Sequence, residues 1–327
     1  MDNSNVITLK NKKEKTAVAG KSFSIKSGSK AKSITELVMQ IIFAVCAFAA
    51  VAAVIAISAY MIIAGAPALM QIGIKDMLFN TVWAPTAAQP SFGIAYIVLT
   101  SIIGTALAIV IGVPIGVLTA VFISEVAGKR LAAIVKPAVE LLAGIPSIVY
   151  GLMGLLIINP LMYKAELALF KNSPTHQFTG GANMAAAVLV LAVMILPTVI
   201  NMSLTSLRAV HVSIRQASLA LGATPVQTIF RVTLPAAKSG IITAIVLGVG
   251  RAIGEAMAIL LVAGNAVNAP LPFNSVRFLT TGIVSEMSYS SGLHRQALFT
   301  IGLVLFVFIM VINLIISKIL EGGAKNE

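Results

Sequence analysis

Apolar runs long enough to cross a bilayer, separated by short polar segments, set the rhythm of this chain. Stretches near residues 37–63, 95–123, 184–202, 240–263 and 298–319 approach or exceed the roughly 20 apolar residues that span a ~30 Å hydrocarbon core as a helix. A further helix is expected to open at Pro137, a favourable first helical position, with Glu140 in its first turn where the helix dipole favours an anion. Segments of this length predict helices and not an outer-membrane barrel, whose strands need only ~10 residues. The expectation is an all-α integral membrane protein with six transmembrane helices.

Punctuation within the runs refines the picture. Gly104, Gly112, Pro114 and Gly116 mark a stretch of close helix packing in the second run. In the third, the sequence IPSIVYGLMG gathers Pro146, Gly151 and Gly154 just after Gly144, which predicts a kink. That kink suits a gate beside a substrate path or a passive packing bend. Segments 64–93 and 163–183 read as outer loops, the first with Trp83 as an interfacial aromatic. Between 276 and 287 the apolar positions Phe278, Leu279, Ile283, Val284 and Met287 fall at helical spacing, predicting an interfacial or partly inserted helix.

Composition agrees: 58% of residues are hydrophobic and 10% charged, and the mean hydropathy is +0.99. The net charge of +12 would suit nucleic acid if it were clustered on one folded surface. It follows the topology instead. With six spans, 17 of the 23 Lys and Arg fall on the side of the termini and five on the other, with Arg251 inside a span. This places both termini in the cytoplasm of a bacterial inner membrane and leaves no role for nucleic acid. Residues 1–35, rich in Lys, Ser and Gly, are expected to be a disordered tail that brushes anionic membrane lipid. They do not have the form of a cleaved signal, so the first helix should be retained. The transmembrane domain is then 36–319, followed by a short cytoplasmic tail at 320–327. One cysteine, Cys46, offers neither a disulfide nor a metal cluster, and His176, His211 and His294 read as three separate surface or loop residues.

Two features carry candidate chemistry. The first is the basic loop 208–239. Residues 216–221 form a short helical run, Gly222 can take the left-handed conformation that ends it, and Pro225 blocks direct continuation. The second is the pair Arg251 and Glu255 near the middle of the fifth run. An arginine at mid-membrane costs on the order of 2.5 to 3.5 kcal/mol on insertion scales, so it needs a partner or a polar cavity. Glu255 lies one turn on, at i+4, and is the expected partner. Such a pair is either purely structural or lines a pathway, where a guanidinium fork would fit two oxygens of a tetrahedral oxyanion.

The residues also carry a resemblance. Gln216, Ala217, Ser218, three residues, Gly222, nine residues, Val232, one residue, Leu234 and Pro235 are similar to the EAA loop of ABC importer permeases, with Gln216 in place of the usual Glu and Ser218 in place of the second Ala. LGVGRAIGEAMAILLVAGN, GIPSIVYGLMGL and SGLHRQALFTIGLVLFVFIMVINL resemble phosphate ABC transporter permeases, the C-type subunit more than the A-type. The resemblance implies a type I ABC importer permease fold. It also implies an A-type permease partner, a dimer of ATPase subunits that dock on Gln216, Ala217, Ser218 and Gly222, an extracytoplasmic phosphate-binding protein, and inorganic phosphate passing Arg251 and Glu255. ATP and magnesium would sit on the partner ATPase, since this sequence has no GxxxxGK[ST] motif and calls for no cofactor of its own. The residues leave open an A-type subunit, a permease for another oxyanion, an ion-coupled secondary transporter using Arg251 and Glu255 as a relay, or a structural scaffold.

Overall fold

The computed structural model describes residues 30–324, so the first 29 residues of the expected tail lie outside it. The regular secondary structure of the described chain is helical apart from one two-stranded hairpin and an isolated bridge between Gly264 and Val276. In order it contains α1 (Lys30–Ile72), α2 (Ile74–Phe79), β1 (Trp83–Ala84), β2 (Ser91–Phe92), α3 (Ala95–Val121), α4 (Lys129–Gly144), α5 (Ser147–Met153), α6 (Asn159–Phe170), α7 (Met184–Ala209), α8 (Val212–Ala220), α9 (Pro225–Thr228), α10 (Leu234–Ala236), α11 (Lys238–Gly254), α12 (Met257–Val262), α13 (Leu279–Glu286) and α14 (Gly292–Ala324). A π-helical turn at Phe122–Val126 extends and ends the α3 span, and those at Gly154–Ile158 and Ile229–Thr233 join neighbouring helices without breaking the path of the chain.

Among the described residues five helices are long and apolar enough to cross a membrane: Ile34–Ile72, Ala95–Val126, Ser147–Phe170, Met184–Ala209 and Gly292–Ile315. A sixth candidate is Pro225–Ala236 with Lys238–Gly254, bent by 69° between the two parts. Several boundaries differ from expectation. The third span does not open at Pro137, which lies inside α4, and Glu140 sits two turns further in, beside Lys136 at 3.6 Å on the surface. The predicted kink is a complete break at Ile145 and Pro146, because Pro146 has no N–H to donate and its neighbour is held extended. The fifth run is two helices, α11 and α12, not one.

Two compact units divide the chain, Met1–Ile57 and Ser58–Glu327. The described part of the first is helix, and its large side chains, Phe43, Phe48, Val51 and Ile55 among them, are exposed all round, as suits lipid. The second unit is organised around α7. Two thirds of its most apolar stretch is buried, against a third or less for Ala95–Val126, Ser147–Phe170 and Gly292–Ile315. Asn183 caps its start by accepting from Ala186 N at 3.1 Å.

Helices α3 and α7 form the most extensive packing in the molecule, and its cause is in the sequence. A Cβ on Gly112 would lie 2.7 Å from Ile195 Cδ1 and 2.9 Å from the Ala192 carbonyl oxygen, and one on Gly116 would lie 2.8 Å from Val199 Cγ1. The missing side chains let the two backbones approach, the device by which membrane helices associate where no hydrophobic drive is available. Around this seam one core gathers Ala108, Leu191, Ile195, Ile259 and Phe278. A second, at one end, gathers Val121, Leu204, Leu207 and Ile229. A third, around Ile94, Ile97, Leu279 and Leu298, joins α14 to the hairpin region. The end of α1 beyond Ser58 is tied to α14 by Thr300 Oγ1, which donates to Gly65 O at 2.9 Å.

Substituting Gly112→Val should therefore force α3 from α7 and destabilise the protein by about 1–3 kcal/mol. Gly144→Ala, with nothing within 4 Å of the added carbon, should be neutral. Thermal unfolding of the detergent-purified variants separates the two.

Candidate functional site

The predicted Arg251–Glu255 ion pair does not form, because the helix that would hold the two one turn apart ends between them. The last residue of α11 is Gly254; Glu255 is extended, at φ −73° and ψ 130°, and α12 begins at Met257. Glu255 turns back onto the second helix, where its Oε1 accepts from Ala258 N at 2.9 Å. A carboxylate at a helix amino terminus satisfies an N–H that has no partner within the helix and faces the positive end of the dipole. The Glu255 carbonyl accepts from Thr280 Oγ1 at 2.6 Å, tying the break to α13. Leu279 N in turn donates to Ser101 Oγ of α3 at 2.8 Å.

Arg251 is left half-buried in the last turn of α11. The negative end of the helix dipole favours a cation there. Among the described residues it makes no ion pair and no side-chain hydrogen bond. Tyr150 of α5 donates to Leu142 O at 2.7 Å across the break between α4 and α5. The two broken helices, α4–α5 and α11–α12, pack on each other through α5 and α12, and Arg251 carries its guanidinium in the last turn of α11. A close approach supports this meeting: a Cβ on Gly151 would lie 2.7 Å from Ala258 Cα.

In the loop 208–239 the predicted short helix is α8, and Gly222 ends it at φ +86°. Thr224 and Gln227 then form a capping box that starts α9, Gln227 N donating to Thr224 Oγ1 and Thr224 N to Gln227 Oε1. Gln216, Ala217 and Gly222 are exposed. Ser218 is not: it is 9% exposed and shares a 2.9 Å hydrogen bond with Thr228 Oγ1, so it holds α8 against α9 and presents nothing outward. The loop exposes a set of apolar side chains that its composition alone did not single out: Leu219, Leu221, Val226 and Phe230, with Leu221 89% exposed. Exposed apolar side chains of this kind suit contact with another protein or with the membrane surface.

Two histidines read as surface residues are instead nearly buried partners of buried carboxylates. Glu286 accepts from His294 Nε2 at 2.8 Å, from Trp83 Nε1 at 3.0 Å and from Arg277. Glu166 faces His176 Nε2 at 2.8 Å and accepts from Thr179 N at 2.9 Å, with Phe170 stacked on the imidazole. A carboxylate enters a protein interior only when its oxygens are satisfied, and here histidine supplies a donor in each case. Spacing in the sequence carries no sign of either cluster, since Trp83 and Glu286 are 203 residues apart. The Glu286 cluster borders a cavity of about 500 Å3.

The comparisons with known proteins fit this architecture. The family described as binding-protein-dependent transport system inner membrane component matches residues 112–324. A probable ABC transporter permease protein, YqgH, of Bacillus subtilis (strain 168) is 35% identical over 296 residues, 88% of this chain and 93% of its own length. The phosphate transport system permease protein PstC of Pasteurella multocida (strain Pm70) is 34% identical over 75% of this chain and 79% of its own. PstC 1 of Mycobacterium tuberculosis (strain ATCC 25618 / H37Rv) is 37% identical over 72% and 75%. Among solved structures, a chain of a bacterial alginate ABC transporter in complex with its alginate pentasaccharide-bound periplasmic protein superposes with a TM-score of 0.60 at 17% identity, covering 87% of this chain and 95% of that one. The chain accordingly belongs to the binding-protein-dependent transport system inner membrane components, as an all-α, multi-pass ABC importer permease of the type I fold and a transport component rather than an enzyme.

Proposed function

We propose that this chain is the C-type permease subunit of an ATP-driven importer of inorganic phosphate. In this reading it forms half of the transmembrane pathway beside an A-type permease. A dimer of ATPase subunits, which bind ATP and magnesium, docks on the loop 208–239, and an extracytoplasmic phosphate-binding protein delivers the substrate. Both termini lie in the cytoplasm. The observation that carries the reading is Arg251: a half-buried guanidinium in a membrane helix, without an ion-pair partner among the described residues, at a break in that helix. An unpaired charge at such depth is costly, so its retention is explained by an anion that visits it. The names of the relatives at 34% and 37% identity supply phosphate as that anion.

In this mechanism Glu255 does not grip Arg251. Its carboxylate caps α12 and fixes the break, so that Arg251 is presented from the end of α11, with a negative charge nearby that weakens its hold on a second anion and lets phosphate leave. Exposed Gln216, Ala217 and Gly222, with Leu219 and Leu221 beside them, form the face that meets the ATPase. Gln216 cannot make the ion pair that a Glu would make there, so this docking depends on shape and apolar burial.

The complete complex in proteoliposomes should take up labelled phosphate on addition of ATP, with arsenate competing and sulfate not. Uptake driven by an ion gradient without the ATPase would sink this reading, and sulfate competition would redirect it to another oxyanion. Arg251→Gln should leave the complex assembled and raise the phosphate concentration for half-maximal uptake by about 10- to 100-fold, the scale of a lost charge-assisted hydrogen bond; a complex that fails to assemble would mark Arg251 as structural. Gly222→Val places a β-branched residue at φ +86°, where the left-handed conformation costs about 1–2 kcal/mol. It should lower uptake per ATP hydrolysed, whereas Gly222→Asn, which tolerates that conformation, should retain most of it.

A further inference from the structure

Arg215, in the first turns of α8, reaches out of its own helix to two other elements. Its Nη2 donates to Leu207 O at 2.6 Å, in the last turn of α7, and lies 3.0 Å from Glu125 Oε1, in the π-helical turn that ends the α3 span. Glu125 is itself oriented by Ser124 Oγ, which donates to the same oxygen at 2.8 Å. The pair is largely withdrawn from solvent, with 23% of the Arg215 side chain and 10% of the Glu125 side chain exposed. Arg215 Nε has no hydrogen-bond partner. Among the described residues Glu125 is the one carboxylate within salt-bridge distance of this guanidinium.

The placement of this clamp matters more than its strength. Helices α3 and α7 pack closely at Gly112 and Gly116, and α7 packs next most extensively on α11, which carries Arg251 in its last turn. At the clamped end the same helices share a core with Ile229 and Ala237 of the loop. We infer that Arg215, with Glu125, is a positioning residue that fastens the α8 docking helix to the α3–α7 pair, so that displacement of α8 is carried to α11 and not absorbed by the hinge at Val210 and His211. This rests on the ATPase-docking reading above, and deepens it by naming the joint through which force enters the membrane helices.

The test uses the full complex in proteoliposomes, with Arg215→Gln, Glu125→Gln, their double variant, and Lys164→Gln as an exposed control outside the docking loop. Readouts are retention of the ATPase, hydrolysis rate, and phosphate taken up per ATP. Both single variants should keep the ATPase bound and hydrolysing while phosphate per ATP falls about 2- to 30-fold, the range seen when coupling between sites is weakened. The double variant should be no worse than either single one, because each removes the same joint; the control should match the parent. Glu125→Gln keeps size and hydrogen bonding while deleting the charge, so it decides the matter if Arg215→Gln does not assemble. Unchanged phosphate per ATP in Glu125→Gln would overturn the inference, as would additive losses in the double variant. Loss of the assembled complex in Glu125→Gln also overturns it, since the pair would then be structural. A parent complex that binds no ATPase would instead refute the docking reading itself, and this inference with it.

Discussion

A backbone that crosses hydrocarbon has to find its hydrogen-bond partners within the protein, and a helix can be interrupted at depth only where something else supplies them. The break between α11 and α12 meets that condition with two groups. The Glu255 carboxylate takes the Ala258 N–H, and Thr280 Oγ1 takes the Glu255 carbonyl. Everything distinctive about the centre of the molecule follows. Because Glu255 is committed to α12 it is unavailable to Arg251, and because α11 stops at Gly254 the guanidinium stands at a helix end, where the dipole holds a cation without neutralising it. The break also draws in α13 through Thr280 and α3 through Ser101, so the segment after α12, which has no span of its own, is fixed against the core.

Much of the fold was legible because membrane spans are written in length and hydrophobicity, and a run such as 184–202 has few alternatives. The interruptions were harder for a definite reason. Pro146 announces its break, since the missing N–H is a property of that residue wherever it occurs. The break at Glu255 carries no such residue: Gly254 permits it, yet Gly250 lies in an unbroken helix four residues earlier. What decides between them is the capping carboxylate and Thr280, and Thr280 is 25 residues away in sequence. An i+4 spacing therefore predicted an ion pair that the tertiary structure forgoes in favour of a cap.

The candidate site divides along the same line. Gly222 was readable, because a single glycine before a proline fixes how α8 must end. Ser218 was misplaced by a linear motif that cannot say which side of a nine-residue helix faces the protein; the Ser218–Thr228 bond and the exposure of Leu219 and Leu221 settle the orientation. The histidines show the complementary failure. His176 and His294 are scattered in sequence, but each is brought by the fold to a carboxylate that has to be satisfied before it can be buried.

Placed in order, these contacts describe how a membrane protein with few polar groups concentrates them where elements must move together or stay apart. Within the packed cores small residues do the joining: Gly112 and Gly116 bring α3 to α7 by absence of side chains, which gives rigid contact with no preferred charge state. At the end nearest α8 the joint is a single charged pair, Arg215 and Glu125, with the Leu207 carbonyl. At the end of α11 the Arg251 guanidinium has no ion-pair partner among the described residues. A glycine seam resists sliding, a buried ion pair resists separation because either charge left alone is costly, and an unpaired arginine resists neither and, in the function proposed above, answers to the anion being carried. These three mechanical characters fall on one continuous path, from α8 through α3 and α7 to α11, in the sequence that a force applied at the loop would need in order to reach the charge.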